Sequence, residues 1–158
     1  MDDLYDLLKH IYPDLDIGLY GAVQLVDLAD GKGPRVSVWN DPRPQPTKEE
    51  LIAVIPEVKR SRLNTAIDDL AAQKIADLFK LPPKSPELLI KQINYNARAS
   101  DLLSKVNSGL LLTVDEEMEL EAIRSLWETI KNIRTTSKQL KQNLTVADVD
   151  TFNIQEGW

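Results

Sequence analysis

The sequence predicts an α+β protein that is mostly α. It would contain a small N-terminal unit of one helix and a β-hairpin, a proline arm, and then long helices that include an antiparallel helical hairpin. Apolar residues recur at helical spacing after residue 47 of the 158-residue chain. A turn sequence with two glycines separates two short β-forming runs near the N-terminus. Between these parts, the stretch WNDPRPQPTKEEL at 39–51 contains three prolines, which neither a helix nor a central strand tolerates.

The N-terminal unit with its proline arm is predicted over residues 1–46. A helix over 2–11 is expected, with Asp2 and Asp3 at the positive end of its dipole. Apolar residues recur in it at helical spacing: Leu4, Leu7, Leu8 and Ile11. The runs 19–28 and 35–39 follow, and DGKGP between them is a turn signal because glycine adopts positive φ without strain. We therefore predict an antiparallel hairpin that ends at Trp39. The composition of Ala22 to Asp30 would also allow a helix there.

The proline arm should be extended, since each proline fixes φ and lacks a backbone donor. Its prolines are Pro42, Pro44 and Pro46. A capping-box sequence follows, in which Thr47 and Glu50 each accept a backbone hydrogen bond, so a helix should begin at Lys48. Within the helical segment 47–80, Pro56 predicts either a kink or a break between two helices.

A helical hairpin is predicted over residues 86–142, after a proline linker at 81–85. Ser85 before Pro86 is a helix start signal, and Gly109 can adopt the left-handed conformation that ends a helix. The apolar residues of this first helix, at helical spacing, are Leu89, Ile93, Ala97 and Leu103.

The second helix of the hairpin, over 114–142, is the longest, and the capping box of Thr113 and Glu116 opens it. Its apolar residues follow steps of three and four, a heptad seam with one serine: Ile123, Leu126, Ile130, Ile133, Ser137, Leu140 and Leu144. The short connection favours antiparallel packing of the two helices. Two uses of the seam remain open, burial within the hairpin or a homo-oligomer through Ile123 to Leu144.

An extended C-terminal tail is predicted over residues 143–158, where the helical period is lost. Its apolar residues either fold back on the hairpin or dock on a neighbouring subunit. Trp39 presents a similar choice between covering the small core and anchoring an interface. The candidate partner-binding residues are Trp39, Pro42, Pro44, Phe152, Ile154 and Trp158.

Composition argues against several classes of function. The chain has no cysteine, which excludes disulfides, thiolate zinc sites and cysteine nucleophiles. The single histidine, His10, lacks the sequence context of a catalytic triad and is interpreted as favourable at a helix C-terminus. A net charge of −6 argues against nucleic-acid binding, and no apolar run is long enough to span a bilayer. We predict no catalytic, cofactor or metal site, no enzymatic activity and no membrane partner.

The sequence TyrPro at 12–13, WN at 39–40 and PQPTKEEL at 44–51 resembles a family of small proteins encoded with the tail genes of tailed bacteriophages, which includes the XkdW-like proteins. The resemblance covers the first third to half of the chain. It implies a non-enzymatic structural or adaptor protein of the virion, made in the host cytoplasm and bound to other phage tail or fibre proteins. The alternative that it implies is a tail or tail-fibre assembly chaperone that is absent from the mature virion.

Overall fold

The computed structural model describes residues 4–158, so the predicted role of Asp2 and Asp3 lies outside the described residues. Of these residues 61% are helical, and the predicted α+β, mostly α class is confirmed. Two compact units are present: one runs to Leu63 and includes Thr145–Phe152, and the other comprises Asn64–Leu144 and Asn153–Trp158. The elements are α1 (Leu4–Ile11), β1 (Val23–Val26), β2 (Arg35–Trp39), α2 (Lys48–Phe79), α3 (Pro86–Asn107), α4 (Val114–Asn143) and one turn of 3-10 helix (Val146–Asp148).

The first unit packs α1 and the β-hairpin around a small apolar core. Strands β1 and β2 pair antiparallel, as predicted, and Val23 lies opposite Trp39. Gly31 and Gly33 in the turn have φ of 76° and 78°, the positive values that the turn sequence predicted. Strand β1 is shorter than the predicted run 19–28, because a tight loop occupies its first residues. The fully buried side chains at the centre are Leu8, Leu15 and Val23.

Helix α2 begins at Lys48 behind the predicted capping box. Thr47 N donates to Glu50 Oε2 at 2.7 Å, and Glu50 N donates to Thr47 Oγ1 at 3.2 Å. Of the two alternatives predicted at Pro56, the break does not occur, because α2 is a single helix of 32 residues. The kink stays a prediction. Pro56 removes the hydrogen bond to the carbonyl of Ile52, and its ring crowds that carbonyl. Ile52 is 53% exposed, so water can replace the missing donor.

The second unit packs the C-terminal half of α2 with α3 and α4. Its core contains Ile75, Ala76 and Phe79 from α2, Leu88 from α3 and Ile130 from α4. The predicted heptad seam of α4 faces this core, since each of its seven residues is buried or half-buried. The seam's use in a homo-oligomer therefore stays a prediction that would require these contacts to open.

A hydrogen bond explains the single polar residue of the seam. Ser137 is 5% exposed, and its hydroxyl donates to Asp68 Oδ1 on α2 at 3.2 Å. Lys141 Nζ donates to the same carboxylate oxygen at 2.6 Å. A buried hydroxyl that makes such a bond avoids most of the cost of desolvation. The serine thus fixes α4 against α2 at this position.

Helix α3 begins and ends as predicted but buries a different face. Ser85 Oγ accepts from Leu88 N at 3.2 Å, and Gly109 has φ of 78°. The buried residues are Leu88 and Leu102. The four apolar residues that periodicity grouped together are instead exposed: Leu89, Ile93, Ala97 and Leu103. Packing against α2 and α4 selects the face, and helical spacing alone does not show which one.

The C-terminal tail contains turns rather than the extended chain that was predicted over 143–158. One turn of 3-10 helix is followed by a turn in which Gln155 N donates to Asn153 Oδ1 at 3.0 Å. Short polar side chains that bond the backbone two residues ahead favour such turns. The tail therefore remains close to its own chain.

Candidate protein-binding surface

Arg43 fixes the proline arm, residues 40–46, within the first unit. Its guanidinium donates to Asp41 through Nε at 2.7 Å and Nη2 at 2.8 Å, and to Asp14 through Nη1 at 2.7 Å. The guanidinium carbon lies 4.5 Å from the centre of the Tyr12 ring, a cation–π distance. Two parallel hydrogen bonds to one carboxylate fix the plane of a guanidinium. The arm therefore has a defined conformation at Arg43.

Two aromatic side chains bond the backbone of the same arm. The indole N–H of Trp39 donates to Arg43 O at 2.8 Å, and the hydroxyl of Tyr12 donates to Pro44 O at 3.2 Å. A further turn forms where Arg43 N donates to Asp41 Oδ1 at 2.9 Å. Side chains thus hold the arm at Arg43 and Pro44.

Trp39 is half-buried, and its ring centre lies 6.3 Å from that of Tyr12. It packs against the core of the first unit, and its N–H is already bonded within the chain. Pro42 and Pro44 are exposed, whereas Pro46 is buried. The arm thus presents two prolines to solvent over an aromatic support, and a binding role for these residues stays a prediction.

The loop before β1, residues 16–22, has little freedom and is termed the Tyr20 loop. Val23 N donates to Asp16 O at 2.9 Å, which closes the loop. A Cβ added at Gly21 would lie 2.7 Å from that same carbonyl oxygen. Real side chains do not approach a backbone oxygen so closely, so this position requires glycine.

Two large side chains project from the Tyr20 loop. Leu19 is 76% exposed and Tyr20 is 95% exposed. Asn40 N donates to Ala22 O at 2.8 Å, so the loop adjoins the start of the proline arm. An aromatic side chain on a fixed loop loses little conformational entropy when a partner covers it. Loop and arm together form the candidate binding surface of the first unit.

The three tail residues predicted to bind a partner contact their own chain. Phe152 is half-buried in the first unit, and Ile154 and Trp158 are half-buried in the second. Trp158 Nε1 donates to Ile154 O at 2.8 Å, and Lys74 Nζ lies 5.4 Å from the centre of the Trp158 ring. The six predicted residues therefore belong to two separate units, and their role in partner binding stays a prediction.

Arg43 and its carboxylate partners stabilise each other's charged forms. Hydrogen bonds from Arg43 lower the pKa of Asp41 to about 2 and also lower the pKa of Asp14. Hydrogen bonds to these two carboxylates raise the pKa of Arg43. Arg43, Asp41 and Asp14 together are termed the Arg43 clamp. All three side chains are consequently ionised at neutral pH.

Sequence reasoning did not identify Arg43, Asp41 or Tyr20 as important. The local spacing Asp-Pro-Arg could have predicted the turn between Asp41 and Arg43, because aspartate often bonds the backbone two residues ahead. The contacts of Arg43 with Tyr12 and Asp14 join distant parts of the chain, and no local pattern reports them.

Within residues 4–158, no three histidine, aspartate or glutamate side chains are grouped closely enough to hold a metal ion. His10 Nε2 lies 2.9 Å from Glu57 Oε2, so the single histidine pairs with a carboxylate of α2. In the same described part of the chain, no helix combines the length and the apolar character needed to cross a membrane.

The fold defines the class of the chain as a mostly helical α+β protein with a clamped proline arm in its first unit. Comparison with protein families then matches residues 4–62 to the XkdW protein family. The N-terminal part is XkdW-like, which confirms the resemblance and relates the chain to phage proteins. The match ends beside Leu63, the boundary of the first unit within α2. No curated protein and no solved structure matches the chain.

Proposed function

We propose that the chain is a non-enzymatic structural or adaptor protein of a tailed-phage virion. It would act through protein–protein interfaces in the tail, the baseplate or the attachment of tail fibres. The observation that carries the proposal is the match of residues 4–62 to the XkdW family, which spans both the proline arm and the Tyr20 loop. Its partners would be other phage tail or fibre proteins, and it would enter the virion after synthesis in the host cytoplasm.

The surface that would contact the partner is the Tyr20 loop with the proline arm. Leu19 and Tyr20 provide exposed apolar area, and Tyr20 adds a hydroxyl that can bond a polar group at the edge of an interface. Exposed Pro42 and Pro44 add a rigid surface of the kind that aromatic-lined grooves bind. Because Arg43 already fixes the arm, binding would cost little ordering entropy.

Mass spectrometry of purified particles tests the proposal directly. A fixed ratio of this chain to the major tail proteins after stringent purification is expected for a virion component. Presence in the lysate, bound to tail proteins but absent from particles, would replace the proposal with the alternative role of an assembly chaperone. A chain that associates with neither would refute both.

Variants of the Tyr20 loop test the surface. Replacement of Leu19 and Tyr20 by serine should reduce the amount of chain in particles, because both apolar side chains would be lost from the interface. Leu28→Ser is the matched control, since Leu28 lies in the same unit and is 58% exposed. Equal incorporation of the two variants, with unchanged circular dichroism, would exclude this surface.

A further inference from the structure

An uncharged seam runs along the exposed side of α3. Its residues follow steps of four and three, the spacing of a coiled-coil seam. All six are exposed: Leu89, Ile93, Asn96, Ser100, Leu103 and Asn107. Three of them are large apolar side chains, which are 59%, 54% and 38% exposed in the order Leu89, Ile93 and Leu103. We term this set the α3 seam.

All charged residues of α3 lie on the other side of the helix when its residues are placed at 100° intervals. They are Glu87, Lys91, Arg98, Asp101 and Lys105. Two of them pair with α4: Arg98 Nη2 lies 2.8 Å from Glu119 Oε2, and Lys105 Nζ lies 2.6 Å from Glu116 Oε1. Exposed helix faces of globular proteins normally carry charged residues. The α3 seam therefore has the composition of a covered face.

The α3 seam is nearly palindromic about residue 98. If two copies pair antiparallel about this point, Ile93 lies opposite Leu103 and Asn96 lies opposite Ser100. Each pairing occurs twice, which is what a twofold symmetric interface requires. Apolar residues thus meet at Ile93 and Leu103, and the amide can hydrogen-bond the hydroxyl at the centre. The outermost pair is mixed, because Leu89 lies opposite Asn107.

We propose that the α3 seam binds a second copy of this chain, with the two α3 helices antiparallel. The inference does not rest on the proposed phage function. The two copies each have a net charge of −6, but the seam residues are uncharged, so the paired faces themselves meet without charge repulsion. Antiparallel pairing also places opposite ends of the two helix dipoles together. A different protein as partner would not require a palindromic seam.

The size of the α3 seam predicts a dimer of moderate affinity. A helix of 22 residues is about 33 Å long. Its exposed face would bury on the order of 600 Å² per copy, which is at the small end of specific interfaces. We therefore expect dissociation in roughly the micromolar range, visible as a concentration-dependent mass.

Light scattering coupled to size-exclusion chromatography, over a wide range of concentrations, tests the dimer. The mass should rise from 17.8 kDa toward twice that value. Ile93→Glu and Leu103→Glu should each remain monomeric, because each places a charge in the α3 seam. Their circular dichroism should be unchanged, because both side chains are exposed. Leu28→Glu, a substitution of a 58% exposed residue in the other unit, should dimerise like the natural chain. A natural chain that stays monomeric, or seam variants that dimerise normally, would overturn the proposal.

Disulfide trapping tests the orientation and is free of background, since the chain has no cysteine. An oxidised mixture of Asn96→Cys and Ser100→Cys chains should form a disulfide between the two variants. Asn107→Cys alone should not cross-link, because its two copies would be about 27 Å apart along the helix axis. Efficient self-cross-linking of Asn107→Cys would mean parallel pairing and refute the antiparallel arrangement. Absence of any cross-link in the mixture would refute the assigned seam.

Discussion

Ile130→Ala should destabilise the second unit by about 3 kcal/mol. Ile130 is 1% exposed and lies in the core with Ile75, Phe79 and Leu88. The substitution removes three buried carbon atoms, worth ~2.4 kcal/mol at about 0.8 kcal/mol each. The unfilled cavity adds a further cost, and partial relaxation limits the total to roughly 3–4 kcal/mol. Urea unfolding followed by circular dichroism at fixed protein concentration measures this change in the free energy of unfolding.

Ile52→Ala is the matched control for this experiment. It removes the same carbon atoms from a residue that is also helical but 53% exposed. The change in helix propensity is the same for both substitutions, so their difference reports burial. We expect Ile52→Ala to alter stability by less than about 0.5 kcal/mol. Equal effects of the two substitutions would refute the placement of Ile130 at the centre of the core.

Two further predictions concern the first unit. Gly21→Ala should destabilise it by more than about 1 kcal/mol, since the new Cβ would meet Asp16 O at 2.7 Å. Gly18→Ala is the control and should be tolerated, because its Cβ would have no neighbour closer than 4.0 Å. Equal melting temperatures of the Gly21→Ala and Gly18→Ala variants would contradict the prediction. The Arg43 clamp should stabilise the first unit less in acid. The pKa of Asp41 is about 2 in the folded chain, below its ordinary value of 3.8. The stabilisation is therefore complete above about pH 4 and is lost as the pH falls toward 2. Arg43→Gln should flatten the fall of melting temperature across this window, and an unchanged slope would refute the clamp.

Features that depend on neighbouring residues were predicted correctly. The capping boxes at Thr47 and Thr113 each form both of their hydrogen bonds. The glycine turn of the hairpin and the end of α3 at Gly109 have the expected positive φ. In each case the residues that determine the conformation lie within a few positions of one another, so one sequence contains the whole cause.

Features that depend on distant contacts were not predictable. Pro56 was expected to kink or break the helix, but α2 continues through it as one helix, because the packing of its apolar residues outweighs one lost hydrogen bond. For the candidate binding surface, the sequence indicated Pro42 and Pro44 but not the Arg43 clamp that fixes them. Arg43 and Tyr12 lie far apart in the sequence, and their contact follows from the fold of the whole unit.

The two helices of the hairpin show why spacing alone does not assign a seam to the core. Both α3 and α4 carry residues at alternating steps of three and four, but the seam of α4 is buried and that of α3 is exposed. The core takes Leu88 and Leu102 from α3, residues outside its regular stripe. An uncovered apolar stripe on α3 does not stabilise the isolated chain. Charged residues at the same positions would be better solvated. The absence of charge on the exposed α3 seam is therefore the observation that supports the proposed binding of a second copy.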